Sequence, residues 1–194
     1  MKLKTLSLVS ATLLALATQA FGQGSSFYFT SLPGSLVGQG QTMSVNEAGG
    51  YTFSATLNAN NSISLTISSP VHTWNLSFAA PDGGPLTVGT YNNAQLWPNQ
   101  AAGAPAMAFT RPGVSLDSIV GYFNILNVEY GPNNTVRAFD AEFQQYDNGV
   151  SGNWSAGNIS FIAANPVPEP GAASLMGVGL LTLLATQRFL RRRS

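Results

Sequence analysis

Between residues 51 and 68 the chain alternates apolar and hydroxyl-bearing side chains with a period of two. Tyr51, Phe53, Ala55 and Leu57 interleave with Thr52, Ser54 and Thr56, and Ile63, Leu65 and Ile67 interleave with Ser62, Ser64, Thr66 and Ser68. Successive side chains of an extended chain point to opposite faces, so only a strand gathers these apolar residues on one side. Asn58-Ala59-Asn60-Asn61, between the two runs, is a turn-type cluster. The segment reads as a β-hairpin with one apolar face and one wet Ser/Thr face.

The same pattern recurs downstream. Trp74, Leu76 and Phe78 predict a third strand, closed by Pro81-Asp82-Gly83-Gly84-Pro85, and a short strand is expected near Leu86 to Tyr91. Residues 92–105, with Pro98, Gly103 and Pro105, read as a loop. Met107 to Thr110 is a brief strand cut by Arg111-Pro112-Gly113. Residues 119–130 are too β-branched and aromatic for a helix. Gly131-Pro132-Asn133-Asn134 turns the chain into residues 135–145, where Phe139, Ala141 and Phe143 oppose Asp140 and Glu142, and Ile159 and Phe161 close the domain. Nine or so short strands with frequent turns predict an all-β fold: an antiparallel β-sandwich or jelly-roll-like barrel.

This domain, residues 23–165, is flanked by segments of another character. Lys2 and Lys4 precede an apolar run from Leu6 to Ala17 and the small residues around Ala20 and Gly22. That is the plan of a signal peptide over residues 1–22, with cleavage after Ala20 or after Gly22 both fitting. The run is too short to span ~30 Å of hydrocarbon. At the other end, a Pro-rich linker over 166–170 leads into an apolar stretch over 171–190, long enough at about 1.5 Å per residue to cross one bilayer core. Arg188, Arg191, Arg192 and Arg193 form the basic cluster that the positive-inside rule leaves in the cytoplasm, with 191–194 as the tail. The expectation is a protein exported by signal peptidase and the export machinery and held at the membrane by one C-terminal helix.

Charge is divided accordingly. The domain holds seven acids (Glu47, Asp82, Asp117, Glu129, Asp140, Glu142 and Asp147) and two bases (Arg111 and Arg137), a net charge of −5, although the whole chain sums to zero. So acidic a domain argues against nucleic acid as a partner. The chain has no cysteine, so thiol chemistry and disulfides are excluded and packing alone must hold the fold.

Val167-Pro168-Glu169-Pro170, followed by an apolar Gly/Ala/Leu-rich helix and Arg191-Arg192-Arg193, resembles the PEP-CTERM sorting signal. The resemblance implies a substrate of an exosortase, an integral-membrane cysteine transpeptidase, with residues 167–170 as its recognition motif. It also implies a Gram-negative-type envelope and an exopolysaccharide or biofilm setting. Residues 73–162, through Trp74 to Pro81, Gly89-Thr90-Tyr91, Arg111-Pro112-Gly113, Gly121 to Tyr130 and Ala138 to Gln145, resemble an uncharacterised bacterial secreted β-domain. Typical members carry two cysteines, where this chain has Leu116 and Asp147.

Candidate chemistry is sparse. His72 is the single histidine, with no Gly-x-Ser-x-Gly elbow to make a triad; it reads as an edge residue. Asp140 and Glu142, two apart on one strand face and so about 7 Å apart, have the spacing of a glycoside hydrolase pair, but also read as a solvated face. Asp147-Asn148-Gly149 reads as a turn rather than a calcium loop. Trp97 and Trp154 lie outside the clear alternation and are candidates for stacking on sugar rings. The leading expectation is a non-catalytic cell-surface or extracellular-matrix protein with no cofactor and no metal. A carbohydrate-binding module for exopolysaccharide is the alternative, and a glycoside hydrolase the third reading.

Overall fold

The computed structural model describes residues 24–164. The expected signal peptide, the Val167–Pro170 motif, the 171–190 helix and the arginine cluster lie outside the described residues. Ten strands follow one another: β1 Ser26–Ser31, β2 Thr42–Asn46, β3 Thr52–Leu57, β4 Ile63–Ser68, β5 Thr73–Ala79, β6 Gly89–Leu96, β7 Ala106–Thr110, β8 Ile119–Gly131, β9 Thr135–Asp147 and β10 Trp154–Ile162. Helical structure among the described residues is limited to short 3-10 turns at Glu47–Gly49, Pro81–Gly83 and Pro132–Asn134. No helix there is long and apolar enough to cross a membrane.

The fold is all-β, as the alternation predicts. The strands form one sheet in the order β2-β1-β10-β9-β8-β6-β7-β5-β4-β3. Its two edge strands, β2 and β3, are joined by only five residues, from Glu47 to Tyr51, so the sheet must curl until its edges approach each other. It therefore nearly closes into a barrel.

The two halves of this sheet pack face to face through aromatic contacts. Trp74, near the start of β5, lies 5.9 Å from Phe27 and 5.5 Å from Phe29 on β1. Phe78, four residues further on, meets Phe123 on β8 at 5.1 Å and Phe139 on β9 at 5.4 Å. β5 thus faces β1 near its start and β8 and β9 near its end, and the two halves are connected by a strand that switches sides. β6 is that strand. It pairs with β8 from Gly89 to Ala94, shifts register between Tyr91 and Ala94, and then pairs with β7 at Gln95 and Leu96.

Two expectations are corrected here, and two strands are added. The sheet is mixed rather than purely antiparallel, because the β6–β7 pairing is parallel. Residues 92–105 are not all loop: the strand expected at 86–91 instead runs from Gly89 to Leu96, its alternation masked by the bulge and by Asn93 at a positive φ of 56°. β1 and β2 were not anticipated, since Tyr28 blurs the alternation of β1 and β2 offers only Met43 and Val45 as apolar residues.

Phenylalanines dominate the core. Phe27, Phe29, Phe78, Phe109, Phe123 and Phe139 are fully buried, and Phe143 nearly so. Each such burial is worth roughly 1.5–3 kcal/mol, and tilted or edge-on contacts such as Phe109–Phe143 at 5.3 Å add to it. The described domain has no cysteine, and this aromatic seam joins its two halves.

Candidate functional site

Two polar features break the apolar interior and outer surface, and they are linked through the loop between β1 and β2. The first is a buried hydrogen-bond chain. Inward positions on β9 continue from Phe143 to Gln145 and Asp147, both wholly buried. Beyond Met107, β7 has left the end of β6, so the side of Phe109 facing β9 lacks a strand partner. The Gln145 amide supplies one: its Oε1 accepts from Phe109 N at 2.8 Å and its Nε2 donates to Phe109 O at 3.0 Å.

Gln145 Nε2 also donates to Asp147 Oδ1 at 2.9 Å. Asp147 Oδ2 accepts from the Leu36 backbone N–H at 2.7 Å and from Ser35 Oγ at 2.9 Å. Ser35 Oγ in turn lies 2.8 Å from Ser155 Oγ and accepts from Gly38 N at 3.0 Å. The carboxylate thus latches the 32–41 loop onto β9 and β10. Asp147 is more than the turn residue that the sequence suggests; the turn proper lies at Asn148 and Gly149, both at positive φ.

The second feature is a cleft of about 290 Å³ beside that loop, lined by Gln41, Val71, His72, Thr73, Trp74, Arg111 and Pro112. Gln41 ends the latched loop, Val71 to Trp74 lead into β5, and Arg111 and Pro112 leave β7. The His72 ring lies flat on Trp74, with centroids 5.2 Å apart and planes 9° from parallel. Tyr51 Oη sits 3.3 Å from His72 Nδ1. Arg111 Nε is buried and has no hydrogen-bond partner among the described residues. Sequence reasoning singled out His72 alone here. It missed Gln41 and Arg111, which a turn-like Arg-Pro-Gly run disguises.

The other candidates fall elsewhere. Asp140 and Glu142 share the outer, solvent side of β9, but line different depressions: Asp140 lies beside Asn127, Glu129 and Arg137, and Glu142 beside Tyr28 and Thr30. No cleft collects both among the described pockets. Trp154 is not in a loop: it opens β10, paired across the strands with Tyr146, which pairs in turn with the exposed Val120. Tyr122 stands one row further along the same outer face, and Gln144 Nε2 donates to Tyr146 Oη at 2.9 Å. Trp97 follows directly on β6, its backbone N–H bonded to Met107 O at 3.0 Å and its indole Nε1 buried without a partner. β8 and β9 separate β6 from β10, so the two tryptophans do not form one patch. Tyr130 Oη donates to Leu86 O at 2.9 Å; burial pushes this phenol above its ordinary range.

No protein-family model, curated protein or solved structure matches the chain.

Proposed function

We propose that the chain is an exported cell-surface or matrix protein, a non-catalytic β-domain delivered by its N-terminal signal and sorted through the Val167–Pro170 motif by an exosortase. In this reading residues 171–190 hold it in the membrane before processing, with Arg188 and Arg191–Arg193 on the cytoplasmic side. The observation that carries the reading is the placement of the domain's two ends. Ser25 Oγ donates to Ile162 O at 3.3 Å and accepts from Ile162 N at 3.2 Å, so the described domain begins and ends side by side. Cuts after Ala20 or Gly22 and within 168–170 fall outside β1 and β10, so processing at either end leaves every strand and the Phe27–Phe161 core untouched. Deleting residues 167–194 is expected to move the domain from the membrane fraction to the medium, read by fractionation and immunoblot. Unchanged membrane retention overturns the reading.

A second reading, a carbohydrate-binding module, is favoured by the Trp154–Tyr146–Val120 row with Tyr122 beside it. Trp154 and Tyr146 are half-buried and Tyr122 is exposed on this outer face, and aromatic rings offered at a surface can stack on sugars. On a glycan array Trp154→Ala is expected to abolish the signal, whereas Trp97→Ala leaves it unchanged. Absence of any glycan signal from the folded wild-type chain removes this reading. The arrangement of Asp140 and Glu142 lends a glycoside hydrolase no support.

A further inference from the structure

We propose that two copies of this chain pair through their β3 edges, antiparallel about a two-fold axis at Ser54, into one continuous sheet. The proposal depends on neither the sorting route nor the Trp154 row.

β2 and β3 end the sheet and are not hydrogen-bonded to each other. At the β3–β4 turn Asn58 N donates to Ser62 O at 2.8 Å. Bonded and unbonded pairs alternate along an antiparallel ladder, so Thr52, Ser54 and Thr56 turn their backbone groups toward β4. Those of Phe53, Ala55 and Leu57 face the free edge. Natural edges are guarded by charge, proline or a bulge. Thr52–Leu57 carries no charged residue and no proline, and its register with β4 is unbroken. The edge is also uncovered. Thr52, Ser54 and Thr56 are exposed, and Phe53, Ala55 and Leu57 are only half-buried, whereas their β4 neighbours Ile67, Leu65 and Ile63 are fully buried.

Charge and shape favour a second copy as the occupant. Between residues 24 and 164 the chain sums to −5, so two copies repel each other wherever their acids meet. Residues 48–81, which hold β3, β4 and β5, contain no Asp, Glu, Lys or Arg, whereas β2 runs directly into Glu47. β3 is therefore the edge at which copies meet with least repulsion. Its sequence also fits itself. A two-fold axis at Ser54 sets Thr52 opposite Thr56 of the second copy, and Phe53 opposite Ala55. Hydroxyl then meets hydroxyl on the outer face, and a ring meets a small side chain on the inner one. β3 already makes such a hydroxyl pair with β4, where Thr52 Oγ1 lies 2.7 Å from Ser68 Oγ. The interface is isologous and closes at two copies, whereas β2 on β3 of another copy would be head-to-tail.

The chain has no cysteine, so single-cysteine variants of the full chain report which positions meet. Ser54 faces its own counterpart as an unbonded pair, with Cα atoms about 4.5 Å apart and within reach of a disulfide. Under mild oxidation Ser54→Cys is expected to form a covalent dimer on non-reducing gels at least about tenfold faster than the exposed controls Ser44→Cys and Ser151→Cys. Thr52→Cys mixed with Thr56→Cys is expected to cross-link, while neither does so alone. Equal rates at Ser54, Ser44 and Ser151, or no cross-link from folded variants, overturns the proposal. So does faster cross-linking between Ser44→Cys and Ser54→Cys chains than within Ser54→Cys. If Ser54→Cys does not fold, the mixture of Thr52→Cys and Thr56→Cys decides alone.

Discussion

The alternation that buries Phe139, Ala141 and Phe143 on β9 runs on through Gln145 and Asp147, so register alone delivers two polar side chains into the interior. Each is tolerated because the hydrogen bonds it makes replace those it loses to water. Removing Gln145 leaves both Phe109 N–H and Phe109 C=O buried and unpaired, and each orphaned group costs ~1–3 kcal/mol. Gln145→Ala is therefore expected to lower unfolding free energy by about 3 kcal/mol. Asp147→Asn keeps the shape but offers a single acceptor oxygen to three donors, a loss of about 2 kcal/mol. Because the two side chains share a bond, the double variant is expected to lose less than the sum. Urea unfolding of the three variants measures this; additive losses would mean that Gln145 and Asp147 act independently.

At the level of elements, legibility tracked the regularity of the strands. β3, β4 and β5 lie within one or two residues of their expected bounds because each keeps a clean apolar–hydroxyl alternation. β6 was misplaced because its function in the fold is to break the pattern: it switches partners from β8 to β7 across a bulge, and its Asn92–Asn93 step carries no periodic signal. Gly121 shows another constraint that alternation hides. A Cβ there would meet Gln144 O at 2.5 Å and Met107 Sδ at 3.0 Å, so the glycine sets how closely β8 approaches β9 and β7. The site was less legible than the fold. Extending the alternation of β9 by two steps would have exposed Gln145 and Asp147 as core residues. Nothing local could bring Gln41 to Arg111, because 70 positions separate them and only the curl of the whole sheet unites them.

At the scale of the molecule, the curl that brings edge strand β2 close to edge strand β3 also seats the first strand beside the last. β1 pairs with β10 along its full length, from Ser26 with Ser160 to Ser31 with Ser155, and the ends meet at Ser25 and Ile162. Closing them into one chain costs little, because loop entropy grows only slowly with a short linker and the partners are already in place. What matters is where the chain is reopened. The Ala101–Gly103 segment is exposed, and its backbone contributes no ladder bond to the sheet, so new termini between Ala102 and Gly103 remove little. The 32–41 loop is also outside the strands, but Ser35, Leu36 and Gly38 are tied into the buried Asp147 and Ser155 network. A permutant joining Ala163 to Gly24 through about six Gly/Ser residues and opened at 102/103 is expected to fold cooperatively, within about 2 kcal/mol of the linear domain. The same permutant opened between Val37 and Gly38 is expected to lose more than about 3 kcal/mol or fail to fold, because its break falls inside the latch. Circular dichroism and urea unfolding distinguish the two. Equal stability of both permutants would show that the 32–41 loop is merely draped over the sheet, and failure of the 102/103 permutant would show that the Trp97–Pro105 crossover is itself part of the framework.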